Sequence, residues 1–70
     1  MPTIIYGPPA SGKTLNAERI RAYLECTSII DNATRDTPIE DPTALVLTND
    51  PEMPYHYNIE AVLETLNEID

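Results

Sequence analysis

Residues Gly7-Pro8-Pro9-Ala10-Ser11-Gly12-Lys13-Thr14 carry more chemistry for their length than any other stretch of the chain. They fit the pattern G-x-x-x-x-G-K-[ST] without a mismatch, and the spacing has a physical reason. A loop that wraps a phosphate must turn its backbone N–H groups inward, and Gly7 and Gly12 are expected to supply the dihedrals such turns need. Lys13 then reaches the β- and γ-phosphates as a mobile point charge, while Thr14 offers its hydroxyl to Mg²⁺. Residues 7–14 are therefore expected to bind a nucleoside triphosphate, together with Mg²⁺.

The flanking segments look built to hold such a loop. Thr3-Ile4-Ile5-Tyr6 is a β-branched and aromatic run suited to a buried parallel strand. From Lys13 to about Glu25 the chain contains no Pro or Gly and places Ala17, Ile20 and Leu24 on one helical face. The loop is thus expected to end at a helix N-terminus, where unpaired N–H groups favour an anion. A second strand is expected over residues 27–31, ending in Asp31. Residues 32–42, with Pro38 and Pro42, read as a loop. Ala44-Leu45-Val46-Leu47-Thr48 reads as a fully buried third strand, and residues 49–54 as turn chemistry. Asn58 can cap a last helix from Ile59 to about Ile69, with Ile59, Val62, Leu63, Leu66 and Ile69 as its apolar stripe.

This order predicts an α/β fold: one domain over residues 1–70, with a three-stranded, mostly parallel sheet and two helices. In such sheets ligands bind at the carboxyl ends of the strands. The phosphate-binding loop after Tyr6, Asp31 after Ile30, and Thr48-Asn49 after Leu47 all fall at that edge.

Composition narrows the partners. The chain has 70 residues and a formal charge of −8, unevenly placed. Residues 1–35 hold every Lys and Arg (Lys13, Arg19, Arg21, Arg35) against Glu18, Glu25 and Asp31, whereas residues 36–70 hold nine acids and no Lys or Arg. That distribution repels nucleic-acid phosphates and argues against direct nucleic-acid binding. The acidic half reads as a solvated surface or, more sharply, as one that meets a basic protein partner or a second copy of the chain. A domain this small buries only about 60% of its unfolded surface, so self-association or docking would help to stabilise it. One cysteine, Cys26, allows no intrachain disulfide and no cysteine-based metal site. No run reaches the roughly 20 apolar residues of a membrane span, and no leader pattern opens the sequence. A cytoplasmic protein is the expectation.

With these residues in place, the chain resembles a reduced P-loop ATPase of the AAA-like type, over roughly residues 3–50. GPPASGKT resembles the Walker A motif of that family. Ser28-Ile29-Ile30-Asp31 resembles its Walker B strand, whose terminal Asp helps to hold Mg²⁺. Leu45-Val46-Leu47-Thr48-Asn49 resembles the strand that sets a polar sensor beside the γ-phosphate. The resemblance implies Thr14 and Asp31 at the metal, Lys13 and Asn49 in catalytic positions at the γ-phosphate, and strand order 1-3-2. The layout is also similar to short P-loop proteins encoded in phage and prophage genomes.

The departures point to weak hydrolysis or none. Where the family usually continues with a water-activating Glu, Asn32 follows Asp31. Arg35 is the candidate for a charge-stabilising arginine, and no stretch of the sequence reads as a lid that would exclude water. The alternative is an acidic interaction or inhibitor protein on a scaffold that no longer turns nucleotide over. His56 has no second histidine to share a metal and reads as a surface or packed residue. The tyrosines are expected to pack the start of the last helix, with stacking on an adenine ring as the other option. Asp36, Glu40 and Asp41 lack calcium-site spacing and read as solvated. Lys13, as an exposed loop residue, is expected to matter little for stability.

Overall fold

The computed structural model describes residues 2–9 and 12–69. Ala10 and Ser11, both assigned above to the phosphate-binding loop, lie outside the described residues. The chain runs β1 (Thr3–Tyr6), α1 (Ala17–Tyr23), β2 (Ser28–Ala33), β3 (Ala44–Thr48), β4 (Tyr57–Asn58) and α2 (Ile59–Ile69). The α/β class is as expected, but the sheet has four strands in the order β2-β3-β1-β4, not three. All the pairings are parallel. Residues 44–48 lie between β1 and β2; β1 is interior as well, because β4 pairs along its other side.

The missed strand has a physical explanation. Two residues show no periodicity, and β4 exists only because its partner is β1, far away in sequence. The register sets Ile5 against Tyr57 and Tyr6 against Asn58. One step earlier, His56 extends the pairing from both ends. Its backbone N–H donates to the Ile4 carbonyl at 2.8 Å, and its ring Nδ1 accepts the Ile4 N–H at 3.0 Å. The imidazole does the work of a strand carbonyl, so His56 is structural.

Alternation along the strands divides the interior in two. Ile5, Leu45 and Leu47 face α1 and α2, where Ala17, Ile20, Cys26, Ile59, Val62 and Leu66 complete one core. Ala44, Val46 and Ala33 face the other way, under Met53 and Ile39 from the two long loops. Helices thus cover one face and loops the other. The 49–54 segment is more than a turn, since it delivers Met53 to the core. β3 is buried at every position, which explains its apolar run from Ala44 to Leu47. α2 has the expected limits and Asn58 caps it, its side-chain oxygen accepting the Glu60 N–H at 3.0 Å. Ile69, assigned above to the apolar stripe, is instead 60% exposed.

α1 is shorter than expected, beginning at Ala17 rather than Lys13 and ending at Tyr23. Residues 13–16 form turns instead. Asn16 holds them by donating twice to the Gly12 carbonyl, from its backbone at 3.0 Å and its side chain at 2.8 Å. The C-terminus of α1 is a Schellman motif. The Cys26 N–H reaches the Arg21 carbonyl at 2.9 Å and the Glu25 N–H reaches that of Ala22 at 3.3 Å, while Glu25 takes φ +57°. Among the described residues no helix is long and apolar enough to cross a membrane.

Candidate phosphate-binding cleft

The carboxyl ends of β1, β2 and β3 meet at one cleft of about 470 Å³, lined by Pro9, Gly12, Lys13, Thr14, Leu15, Asn32 and Asn49. The loop after β1 begins in register with the sheet, because the Gly7 N–H donates to the Thr48 carbonyl at 3.0 Å. Of the two glycines, it is Gly12 that takes a positive φ, +89°. A Cβ there would also approach the Asn16 amide nitrogen to 3.2 Å. The need for glycine is therefore firm at position 12, at the turn into residues 13–16.

Lys13 is not the exposed residue the sequence suggested; it is only 6% exposed. Its ammonium folds back into the loop, donating to the carbonyls of Gly7 at 2.6 Å and Pro8 at 2.9 Å. Burial pulls its pKa below the ordinary lysine range, and the Asp31 carboxylate partly opposes that shift. Pro8 and Pro9 are exposed at the mouth of the loop.

Thr14 and Asp31, seventeen residues apart, are brought into direct contact. The Thr14 hydroxyl donates to Asp31 Oδ2 at 2.8 Å. Asp31 does not end its strand, as expected from sequence, but sits on a β-bulge inside it. Ile30 pairs with Val46 and Ala33 with Thr48, so Asp31 and Asn32 together face the single residue Leu47. Asn32 adopts φ +55°, a left-handed conformation that Asn tolerates better than most residues. Its N–H donates to Asp31 Oδ1 at 2.8 Å, which fixes the carboxylate. The bulge thus aims Asp31 at Thr14 and places Asn32 on the cleft wall.

Thr48 and Asn49 part company. Asn49 is exposed and lines the cleft. Thr48 is fully buried, and its hydroxyl is bonded to backbone groups. Other expectations fail on geometry. Arg35, the candidate charge-stabilising arginine, is paired with Asp50 at 3.1 Å and Glu52 at 3.3 Å and does not line the cleft. No tyrosine lines it either. Tyr6 stacks on Tyr55 with centroids 5.2 Å apart, while Tyr23 and Tyr57 border a smaller hollow of about 200 Å³ beside α2. Leu15, overlooked in the sequence, lines the cleft while 89% exposed. The available signal was its position off the α1 face that carries Ala17, Ile20 and Leu24.

The donor set can be tested against a divalent cation. Among the described residues no group of three His, Cys, Asp or Glu could hold a metal. Thr14 and Asp31 offer hard oxygen ligands side by side, which fits Mg²⁺ bound mainly through its own waters and phosphate oxygens. No family model, curated protein or solved structure matches the chain.

Proposed function

We propose that this chain binds a magnesium nucleoside triphosphate, ATP ahead of GTP, with slow hydrolysis or none. The observation that carries the reading is the Thr14–Asp31 hydrogen bond beside a loop into which Lys13 is folded. Strand-end loops of a parallel sheet are where α/β proteins bind ligands, and three strands contribute to this cleft.

In this reading the phosphates lie in the loop of residues 7–14, against its backbone N–H groups. Lys13 turns from the Gly7 and Pro8 carbonyls to the terminal phosphates, exchanging two neutral acceptors for charged ones. Thr14 and Asp31 would hold Mg²⁺, whose part is to neutralise phosphate charge. Asn49, on the cleft wall, would donate a hydrogen bond to a terminal phosphate oxygen. Asn32 can orient a water but cannot take its proton, and a general base is typically worth about 10² to 10⁴-fold in rate. The open cleft also leaves the phosphates in water, which weakens each electrostatic contact.

A second reading, an acidic interaction protein on the same scaffold, draws on α2, which exposes Glu60, Glu64 and Glu68 and has no base in its last turn. Titration with Mg-ATP and Mg-GTP, followed by thermal melting, separates the two. At 100 times its Kd a bound nucleotide adds about 2.7 kcal/mol to stability. A melting temperature that ignores both nucleotides removes the first reading and leaves the second.

A further inference from the structure

Thr48 closes β3 at the point where a polar side chain facing the phosphates was expected. Its hydroxyl is committed elsewhere. It donates to the Ala33 carbonyl at 2.8 Å and accepts the Asp50 N–H at 3.0 Å. Its backbone carbonyl accepts the Gly7 N–H at 3.0 Å. One fully buried residue is therefore bonded to the far end of the β2 bulge, to the loop that carries Asn49, and to the first residue of the phosphate-binding loop.

The bulge gives this arrangement its consequence. Asp31 and Asn32 lie between two paired positions, Ile30 with Val46 and Ala33 with Thr48. The second of these is the one that the Thr48 hydroxyl pins. A residue held at φ +55° has few neighbours in conformational space that keep the ladder intact, so its flanks must be fixed for it to persist. We propose that Thr48 is a positioning residue for the metal side of the cleft. Its hydroxyl fixes the bulge, and so the aim of Asp31 at Thr14, without touching a ligand itself.

This inference rests on the nucleotide-binding reading above, and its test separates the two. Thr48→Val removes the hydroxyl but keeps the carbonyl that holds Gly7, so the phosphate-binding loop retains its anchor. Calorimetric titration with ATP in Mg²⁺ and with ATP in EDTA should show affinity falling about 10- to 100-fold in Mg²⁺, the range seen when a residue behind a metal ligand is lost. The affinity in EDTA should change little, and Thr48→Ser should restore the Mg²⁺ response. A purely structural loss would weaken both conditions alike. Should the valine variant not fold, Thr48→Ala against Thr48→Ser makes the same comparison. Equal Mg²⁺ enhancement with and without the hydroxyl overturns the inference while leaving nucleotide binding intact. If the unmodified protein binds no nucleotide, the function proposed above fails. Amide NMR spectra of Thr48→Val then decide the positioning claim. Displaced Asp31 and Asn32 signals uphold it, and unmoved ones overturn it.

Discussion

At the amino ends of β2 and β3, the Asp41 carboxylate accepts from Ser28 Oγ at 2.7 Å, Thr27 Oγ1 at 2.9 Å, the Thr43 N–H at 2.9 Å and Thr43 Oγ1 at 2.8 Å. At the carboxyl ends of the same sheet, Asp31 accepts one hydroxyl, from Thr14, and one backbone N–H, from Asn32, beside an open cleft. A carboxylate has about four lone-pair sites. Around Asp41 the chain itself fills them, tying the starts of two strands together. Around Asp31 two donors fix the direction of the group, and among the described residues no others fill its remaining lone-pair sites. The left-handed residues divide in the same way. Glu25 ends a helix at the first edge, where glycine would serve better, whereas Asn32 shapes the cleft wall at the second.

The largest expected effect lies at the cleft. Lys13→Ala should remove the nucleotide-dependent gain in melting temperature altogether. Because it also strips a partner from two loop carbonyls, it should cost about 1–3 kcal/mol of stability. Undiminished nucleotide stabilisation in this variant would erase the distinction between the two edges.

Next comes Asp41→Asn, which should lower stability and leave nucleotide affinity unchanged. Hydrogen bonds from Ser28, Thr43 and Thr27 hold the Asp41 carboxyl well below the usual carboxylate range. The folded protein thus keeps it charged where the unfolded chain, near the ordinary value of about 3.9, takes up a proton. Its contribution is complete above that value and is lost as pH falls toward the depressed one. Melting curves between pH 7 and pH 2 should therefore be flatter for the asparagine variant. Parallel curves would mean that the Asp41 cluster is not the acid-sensitive part of the molecule.

Asn32→Glu tests the cleft again. It should raise any ATPase rate by supplying a base, at a cost of about 1–2 kcal/mol for a less tolerant residue at positive φ. No change in rate, with the protein still folded, would break the assignment of Asp31. The smallest effect belongs to the structural edge. Glu25→Gly should stabilise the fold by about 0.5–1 kcal/mol, a few degrees in melting temperature for a domain of this size, with no effect on nucleotide. A destabilised glycine variant would show that the Glu25 side chain does more than tolerate its dihedral.

What could be read in advance, and what could not, follows the range of the interactions. GPPASGKT predicts a phosphate-binding loop because its chemistry is local: a backbone turn, one lysine and one hydroxyl within eight residues. The apolar runs of β1 and β3 announce themselves by composition and the stripe of α2 by its helical period, which is why their limits and the α/β class were legible. Contacts across the chain were not. β4 is two residues long and defined by β1; the bulge in β2 is defined by its register against β3; and the roles of Thr48 and His56 depend on backbone groups that sequence spacing does not reveal. The same limit separated Asp41 from its solvated neighbours and turned Arg35 toward Asp50 and Glu52. Side-chain chemistry and short-range period are properties of the chain itself. Which polar atoms meet is decided only when the sheet assembles and each buried donor and acceptor has to find a partner.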